Sequence, residues 1–340
     1  MFPGKKKLIV AGLLLVICFL SGLTFAGEKT YTLRFNTVGA PKQPVTLAMY
    51  KFAEIVEKLS GGKITVKVFH SGQLGNQKTG PLSVARGSLE MAVCSPSWMA
   101  DLFDYPEVGV LEAAYLYRDL DHAYMILNGP VGKKFWDHLA KNAGIRVLDS
   151  WLLGTRELNL TKKTGPVRRP EDLKGIKLRM PNVEAWLDVG RALGANPTPL
   201  GFGEVYMALK TGTIDGQDNP LPTDEAAKFY EVTHYIVLTD HIIGFVQPII
   251  NEKLWQDMPE KYRMWIEKAI TAARFYCDSL VLEQEATLLA KFEKEYGMEI
   301  IIPDKEAFRE HARKFYSQPK FEKKWGKGMY EKIQSMYIGE

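Results

Sequence analysis

The chain has 340 residues, of which 46% are hydrophobic and 25% are charged, a composition typical of a globular protein with a substantial core. Its length exceeds that of one average domain and predicts two domains or one domain with large insertions. The 44 lysine and arginine residues nearly balance the 40 aspartate and glutamate residues, and no arginine-rich segment is interleaved with aromatic residues. This charge pattern argues against a nucleic-acid partner.

The N-terminus has the pattern of an export signal. Three lysines at 5–7 precede an apolar run over residues 8–20, and small residues follow up to Ala26. The apolar run is shorter than the roughly 20 residues that span a bilayer. The pattern predicts a signal peptide, residues 1–26, whose removal would lower the formal net charge from +4 to +1. The alternative is an uncleaved membrane anchor.

The first part of the mature chain alternates strand and helix patterns. Residues 30–37 and 64–69 alternate as strands do, and residues 45–59 between them repeat at helical spacing. A second helix reaching Arg86 and a strand over residues 89–94 follow. This order predicts a parallel sheet with helices on both faces, and ligands of such sheets lie beyond the carboxyl ends of the strands.

A second unit of the same kind is predicted further along the chain. We predict strands at 147–153, 176–180 and 213–217, with helices at 183–193 and 202–210. From Pro259 to Gly297 no other proline or glycine interrupts a helical pattern. This segment predicts a helix approaching ~55 Å that contacts both units, since each residue adds 1.5 Å. The segment after Pro303 is also predicted to be helical.

The cysteines and histidines predict neither a disulfide framework nor a metal site. Cys94 ends an apolar strand and Cys277 lies in the long helix, so we expect two buried free thiols; a single disulfide is the alternative. The six histidines are scattered, without metal-ligand spacing, and no Cys-x-x-Cys sequence occurs. We therefore expect no metal ion and no cofactor.

No motif in the sequence predicts catalysis. Residues 201–203 lack the third glycine of a dinucleotide loop, and residues 132–134 lack the flanking residues of a phosphate loop. No Gly-x-Ser-x-Gly elbow occurs. Asp215 and Asp218 offer a carboxylate pair for acid–base chemistry, but such pairs beside turns are usually solvated. We expect a protein that is not an enzyme.

Two arginines and one amide suggest an anion site. Arg179 is predicted near the carboxyl end of a parallel strand, and Arg156 directly after another strand end. Asn219 is predicted in a turn. A guanidinium group at such a position can hold a carboxylate through two hydrogen bonds. The alternative is that each arginine pairs with a structural carboxylate of the chain.

At these residues the sequence resembles a known family, the DctP-like periplasmic solute-binding subunits of TRAP (tripartite ATP-independent periplasmic) transporters. The strongest resemblance runs from Gly-Ala-Asn-Pro-Thr-Pro-Leu at 194–200 through residues 204–220. Residues 171–181, 71–75 and 228–232 match as well, so the resemblance spans nearly the whole mature chain.

The resemblance implies an α/β fold of two domains facing a cleft. Each domain has a mostly parallel sheet flanked by helices, and crossing strands and the long spine helix connect the two. The implied domain I is 27–153 plus 245–284, and the implied domain II is 154–244 plus 285–340. The implied function is that of a periplasmic protein, which we expect to be a monomer. It closes around a small organic acid and delivers the acid to the membrane permease subunits.

The resemblance also assigns site residues. Arg179 resembles the carboxylate clamp, Arg156 the second arginine and Asn219 the cleft amide. The remaining positions are Phe202 as an aromatic wall, with Ser95 and Trp98 shaping the site from the opposite domain. C4-dicarboxylates, sugar acids, 2-oxo acids and aromatic acids all remain open as ligands. A secreted enzyme acting on an acidic metabolite and a sensor partner that presents the ligand to a receptor are the alternative functions.

Overall fold

The computed structural model describes residues 29–336, so the predicted signal peptide lies outside the described residues. The strands are β1 (Tyr31–Asn36), β2 (Ile64–Phe69), β3 (Met91–Cys94), β4 (Ile145–Val147), β5 (Trp151–Leu160), β6 (Lys177–Met180), β7 (Asn196–Pro199), β8 (Gly216–Pro220), β9 (Tyr235–Asn251) and β10 (Glu299–Ile301). The helices are α1 (Pro44–Ser60), α2 (Thr79–Ala85), α3 (Pro96–Leu102), α4 (Leu120–Asn128), α5 (Pro130–Ala143), α6 (Glu184–Ala192), α7 (Val205–Thr211), α8 (Leu221–Ala226), α9 (Glu252–Asp257), α10 (Glu260–Lys294), α11 (Lys305–Tyr316), α12 (Pro319–Trp325) and α13 (Met329–Ser335).

Two groups of parallel strands form the ends of one continuous sheet path, β2-β1-β3-β9-β5-β8-β6-β7. In the first group β1 runs parallel to β2 and β3, and in the second β6 runs parallel to β7 and β8. β4 and β10 pair with β9 outside this path. The α/β fold class with a parallel sheet flanked by helices in each unit is confirmed.

β5 and β9 cross between the two groups. β9 pairs antiparallel with β5 along most of its length and with β3 near its end. The β5–β9 pairing shifts register between Leu152 and Gly154 and again between Arg156 and Leu158. These irregularities bend the crossing strands at the junction of the two groups.

The predicted strand at 147–153 is wrong in its limits. β4 ends at Val147, and a separate strand, β5, continues through Gly154 to Leu160. Gly154 lies at the register shift with a φ of 122°, a backbone conformation that glycine adopts readily, so it permits a bulge inside the strand. Arg156 therefore lies within a strand and not after a strand end.

The strand predicted at 213–217 is displaced toward the C-terminus. β8 covers Gly216–Pro220, because these five residues pair in register with β5. Asn219 is consequently part of a buried strand, and its predicted position in a turn is wrong.

The long helix is confirmed. α10 has 35 residues, which gives a length of about 52 Å. It packs on α1 and β5 and also on α8, so it contacts both ends of the molecule. Cys94 and Cys277 are free and buried, as expected. Across residues 29–336, the structure contains no helix with the length and apolar character needed to cross a bilayer.

The bulge at Gly154 generates a prediction about stability. A Cβ atom on Gly154 would lie 2.7 Å from Cβ of Pro220 and 2.7 Å from Oε1 of Glu285. Gly165, at a φ of 70°, has no atom within 4 Å of that position and serves as the control. We expect Gly154→Ala to lower the free energy of unfolding by about 2–5 kcal/mol and Gly165→Ala by about 1 kcal/mol. Urea unfolding measures both, and equal losses would contradict the tight junction.

Candidate functional site

A cavity of about 100 Å³ lies where the two strand groups meet the crossing strands. Such a volume holds several water molecules or part of a small organic molecule. All six site residues predicted from the sequence line this one cavity: Arg179, Arg156, Asn219, Phe202, Ser95 and Trp98. Their roles in ligand binding stay predictions.

Arg179 carries a buried charge without an acidic partner among the described residues. It lies near the carboxyl end of β6 and only 1% of its surface is exposed. Its Nε donates to the carbonyl oxygen of Leu200 at 2.9 Å, whereas its Nη2 has no partner within residues 29–336. Burial lowers the pKa of Arg179 to about 9. The guanidinium group of this cavity-lining residue thus keeps a donor atom, Nη2, that no described group of the chain accepts.

Arg156 differs because a carboxylate of the chain neutralises it. Its Nε donates to Oδ2 of Asp218 at 2.7 Å, and its Nη2 donates to the Asp218 carbonyl oxygen at 2.6 Å. Nε2 of His241 lies 3.1 Å from the same Oδ2. Burial alone would raise the pKa of Asp218, but the Arg156 charge and these hydrogen bonds hold it well below its usual range. The structural pairing considered for both arginines therefore applies to Arg156 alone.

Aromatic rings cover both guanidinium groups. The Phe202 ring centre lies 6.0 Å from Cζ of Arg179, and the Trp186 ring centre lies 4.4 Å from Cζ of Arg156. The rings exclude water from the faces of the cations and leave their N–H edges available. Trp186 was not predicted from the sequence, because on α6 it resembles an ordinary core residue.

The Asn219 amide is held by a chain of buried polar groups. Its Nδ2 donates to Oε1 of Gln217 at 2.5 Å, and Nε2 of Gln217 donates to Oδ1 of Asp224 at 2.8 Å. Burial raises the pKa of Asp224 well above its usual range. This chain fixes the orientation of Asn219 at the cavity wall.

The opposite wall carries a buried carboxyl group that the sequence analysis missed. Oε2 of Glu112 accepts from Oγ of Ser95 at 2.8 Å and from the Ser97 backbone N–H at 2.7 Å. Burial raises the pKa of Glu112, although the Ser97 and Ser95 hydrogen bonds oppose this rise. Next to it, Nε1 of Trp98 has no acceptor among residues 29–336, and the indole is only 8% exposed.

One hydrogen bond joins the two sides across the cavity. Nε2 of Gln43, just before α1, donates to Oγ1 of Thr223 on α8 at 2.9 Å, and both residues line the cavity. No local pattern in the sequence indicates this pair, because the two residues are 180 positions apart.

A larger hollow of about 710 Å³ is a weaker candidate. It includes Thr155, which lies on the other face of β5 from Arg156 because neighbouring strand residues alternate. Arg309 and Arg313 also line it, but both are exposed, so water already solvates their charges. No group of three or more potential metal ligands occurs within residues 29–336.

Comparison with known protein families and with curated proteins shows which proteins this chain is similar to. Residues 35–324 match the DctP family, described as bacterial extracellular solute-binding protein, family 7. The sialic acid-binding periplasmic protein SiaP of Vibrio cholerae is 33% identical over 284 residues, which cover 84% of this chain and 86% of that protein.

Solved structures are similar over the same extent. A TRAP periplasmic solute-binding protein from Roseobacter denitrificans with bound 3-deoxy-D-manno-oct-2-ulosonic acid has a TM-score of 0.84 and 34% identity, covering 90% of this chain and 99% of that chain. A TRAP periplasmic solute-binding protein from Sulfurospirillum deleyianum with bound succinate has a TM-score of 0.83 and 29% identity, covering 91% and 100%.

The different electrostatic environments of the two arginines predict opposite effects on stability. Arg179→Met removes an uncompensated buried charge, so we expect the ligand-free protein to be as stable as the wild type or more stable. Arg156→Met leaves the buried Asp218 carboxylate without its cation and should cost about 3–5 kcal/mol. Urea unfolding of protein stripped of ligand by unfolding and refolding measures both effects. A comparable loss in the two variants would show that Arg179 is a structural residue.

Proposed function

The chain belongs to the DctP family of bacterial extracellular solute-binding proteins, and we propose that it captures a small carboxylate-containing acid in the periplasm for a TRAP transporter. The loaded protein then delivers the acid to the membrane permease subunits. Both structural relatives described above are TRAP binding proteins with a bound organic acid, which supports this assignment.

The buried, unpaired Arg179 is the observation that carries the proposal. A ligand carboxylate supplies the counter-charge that no described acidic residue provides, and it accepts two charge-assisted hydrogen bonds from one guanidinium group. The Asn219 amide and the Phe202 ring lie on the same cavity wall and orient the bound carboxylate.

Cleft closure is the second part of the proposal. We assign residues 27–153 plus 245–284 to one domain and 154–244 plus 285–340 to the other. The ligand contacts both domains only when they approach, and this contact favours the closed state. The crossing strands β5 and β9 and the spine helix α10 connect the domains during this motion.

The same cavity favours binding over turnover. Asp218 is held as a buried anion by Arg156, and this pairing makes it a weak base. Asp215 accepts from the Lys177 backbone N–H and from Nζ of Lys163, so its carboxylate is engaged in the strand connection. We therefore propose a binding protein and not an enzyme acting on an acidic metabolite.

The proposal requires export. We expect the protein recovered from the periplasmic fraction of a Gram-negative expression host to begin at Gly27, because residues 1–26 have the pattern of a cleaved signal peptide. Intact mass measures the N-terminus directly. Protein found only in the cytoplasm or membrane fraction, with residues 1–26 retained, would contradict this.

The proposal also predicts the effect of losing the clamp. In calorimetric titrations with an acid found by thermal-shift screening, Arg179→Ala should weaken binding by about two to four decades, or about 3–5 kcal/mol. Arg179→Lys should lose much of the affinity, since an ammonium group lacks the planar fork. Asn219→Ala should lose less, about 1–3 kcal/mol, because its hydrogen bond is neutral.

Arg169→Ala is the matched control, because Arg169 is exposed and lies outside the cavity. It should bind the acid as the wild type does. A folded Arg179→Ala variant that binds within a factor of about three of the wild type would exclude Arg179 as the clamp, since this is less than ~0.7 kcal/mol.

A further inference from the structure

We propose that the acid is a monocarboxylate with a mainly apolar body that carries one hydrogen-bond acceptor, a 2-oxo or 2-hydroxy oxygen, for the indole of Trp98. This inference rests on the proposed function and deepens it, because the same cavity binds the ligand. It follows from which polar groups of the wall are free and which are already bonded.

The charges around the cavity match one ligand carboxylate. Three acidic or basic side chains line it: Arg179, Arg156 and Glu112. Arg156 is neutralised by Asp218, so Arg179 is the one cation of this lining without an acidic partner in the described chain. A second ligand carboxylate would lose its water without gaining a cation, and it would approach the Glu112 carboxyl group.

Most polar side chains of the wall opposite Arg179 already have partners within the chain. Asn36 donates through Nδ2 to the Gly75 carbonyl oxygen and accepts at Oδ1 from the Leu74 backbone N–H. Thr37 accepts from the Gly39 backbone N–H. Gln43 donates to Thr223, Ser95 donates to Glu112, and Gln77 is only half-buried and keeps access to water.

Apart from Asn76, which is exposed to water, the rest of that wall is apolar. Side chains of the first strand group, of α1 and α2 and of the crossing strands contribute hydrocarbon surface: Val45, Pro81, Val93, Leu153 and Val246. A polyhydroxylated acid would bury several hydroxyl groups against this surface. A hydroxyl that lies against this hydrocarbon surface would lose its water without gaining a partner, and that loss disfavours binding.

Trp98 provides the one specific exception. Its Nε1 hydrogen is buried and has no acceptor within residues 29–336, and such orphaned donors are rare in folded proteins. A ligand oxygen satisfies it. Trp98 and Arg179 line the same cavity, so one small ligand can contact both, and we assign the acceptor to the carbon next to the carboxylate.

Four acids that differ by one feature each test the inference by calorimetric titration. The reference is 4-methyl-2-oxopentanoate. Its partners are 4-methylpentanoate, which lacks the oxo oxygen; 2-oxoglutarate, which adds a second carboxylate; and galactonate, which is polyhydroxylated. We expect the reference acid to bind at least tenfold more tightly than 4-methylpentanoate, and about a hundredfold more tightly than the other two.

The variant Trp98→Phe keeps an aromatic ring and removes the N–H group. We expect it to reduce the ratio between 4-methyl-2-oxopentanoate and 4-methylpentanoate to within about threefold. Thermal unfolding shows whether the variant is folded. If the variant does not fold, the titrations of the four acids with the wild-type protein decide the ligand class. An unchanged ratio in a folded variant would overturn the role of Trp98.

The outcomes separate this inference from the proposed function. Binding of galactonate or 2-oxoglutarate as tight as that of the reference acid, abolished by Arg179→Ala, would overturn the apolar monocarboxylate class and retain the acid-binding function. If a wider screen of organic acids gave no binding at all, the proposed function itself would fail, and this inference with it.

Discussion

The site depends on one buried positive charge that no acidic residue of the described chain neutralises. Arg179 and Arg156 line one cavity, yet Asp218 compensates only Arg156. Burying an unpaired guanidinium group costs free energy, and the lowered pKa of Arg179 expresses that cost. Under the proposed function, a ligand carboxylate removes this cost, so the free energy lost by burying the charge in the empty site is recovered as affinity for an anion.

The crossing strands connect this electrostatic arrangement to the proposed movement of the domains. β5 carries Arg156 and Leu153, and β9 carries Val246, so residues of the connection itself line the cavity. The Arg156–Asp218 pair joins β5 to β8, and the irregular register of β5 on β9 lies beside it. Under the proposed closure, a ligand in this cavity contacts the part of the molecule that must bend when the domains approach. The proposal therefore couples binding to closure through direct contact with the crossing strands.

The sequence predicted the parts of the fold that local patterns encode. The strand at 64–69, the long helix and the parallel order of the first unit follow from the period of apolar residues, and the structure has all three. The limits of β5 and the strand position of Asn219 were mispredicted, because pairing with distant strands overrides the local turn signals of glycine and proline. The Glu112 carboxyl group and the Gln43–Thr223 bond could not be predicted, since each depends on contacts between residues far apart in the chain.

The two walls of the cavity also differ in how firmly the fold determines them. Arg179 projects from β6, which is fixed on both sides by parallel pairing with β7 and β8, so its position changes little when nearby side chains change. Ser95 and Trp98 lie at the start of the short helix α3, and Gln77 precedes the equally short α2, where substitution disturbs no sheet. We expect a family built this way to retain the carboxylate contact while the other wall varies. The named ligands of the relatives fit this expectation, because sialic acid and 3-deoxy-D-manno-oct-2-ulosonic acid are polyhydroxylated sugar acids, succinate is a dicarboxylate, and all three carry a carboxylate. Under the proposed function, the wall that carries Trp98 determines which acid binds, and the wall that carries Arg179 provides the affinity for its carboxylate.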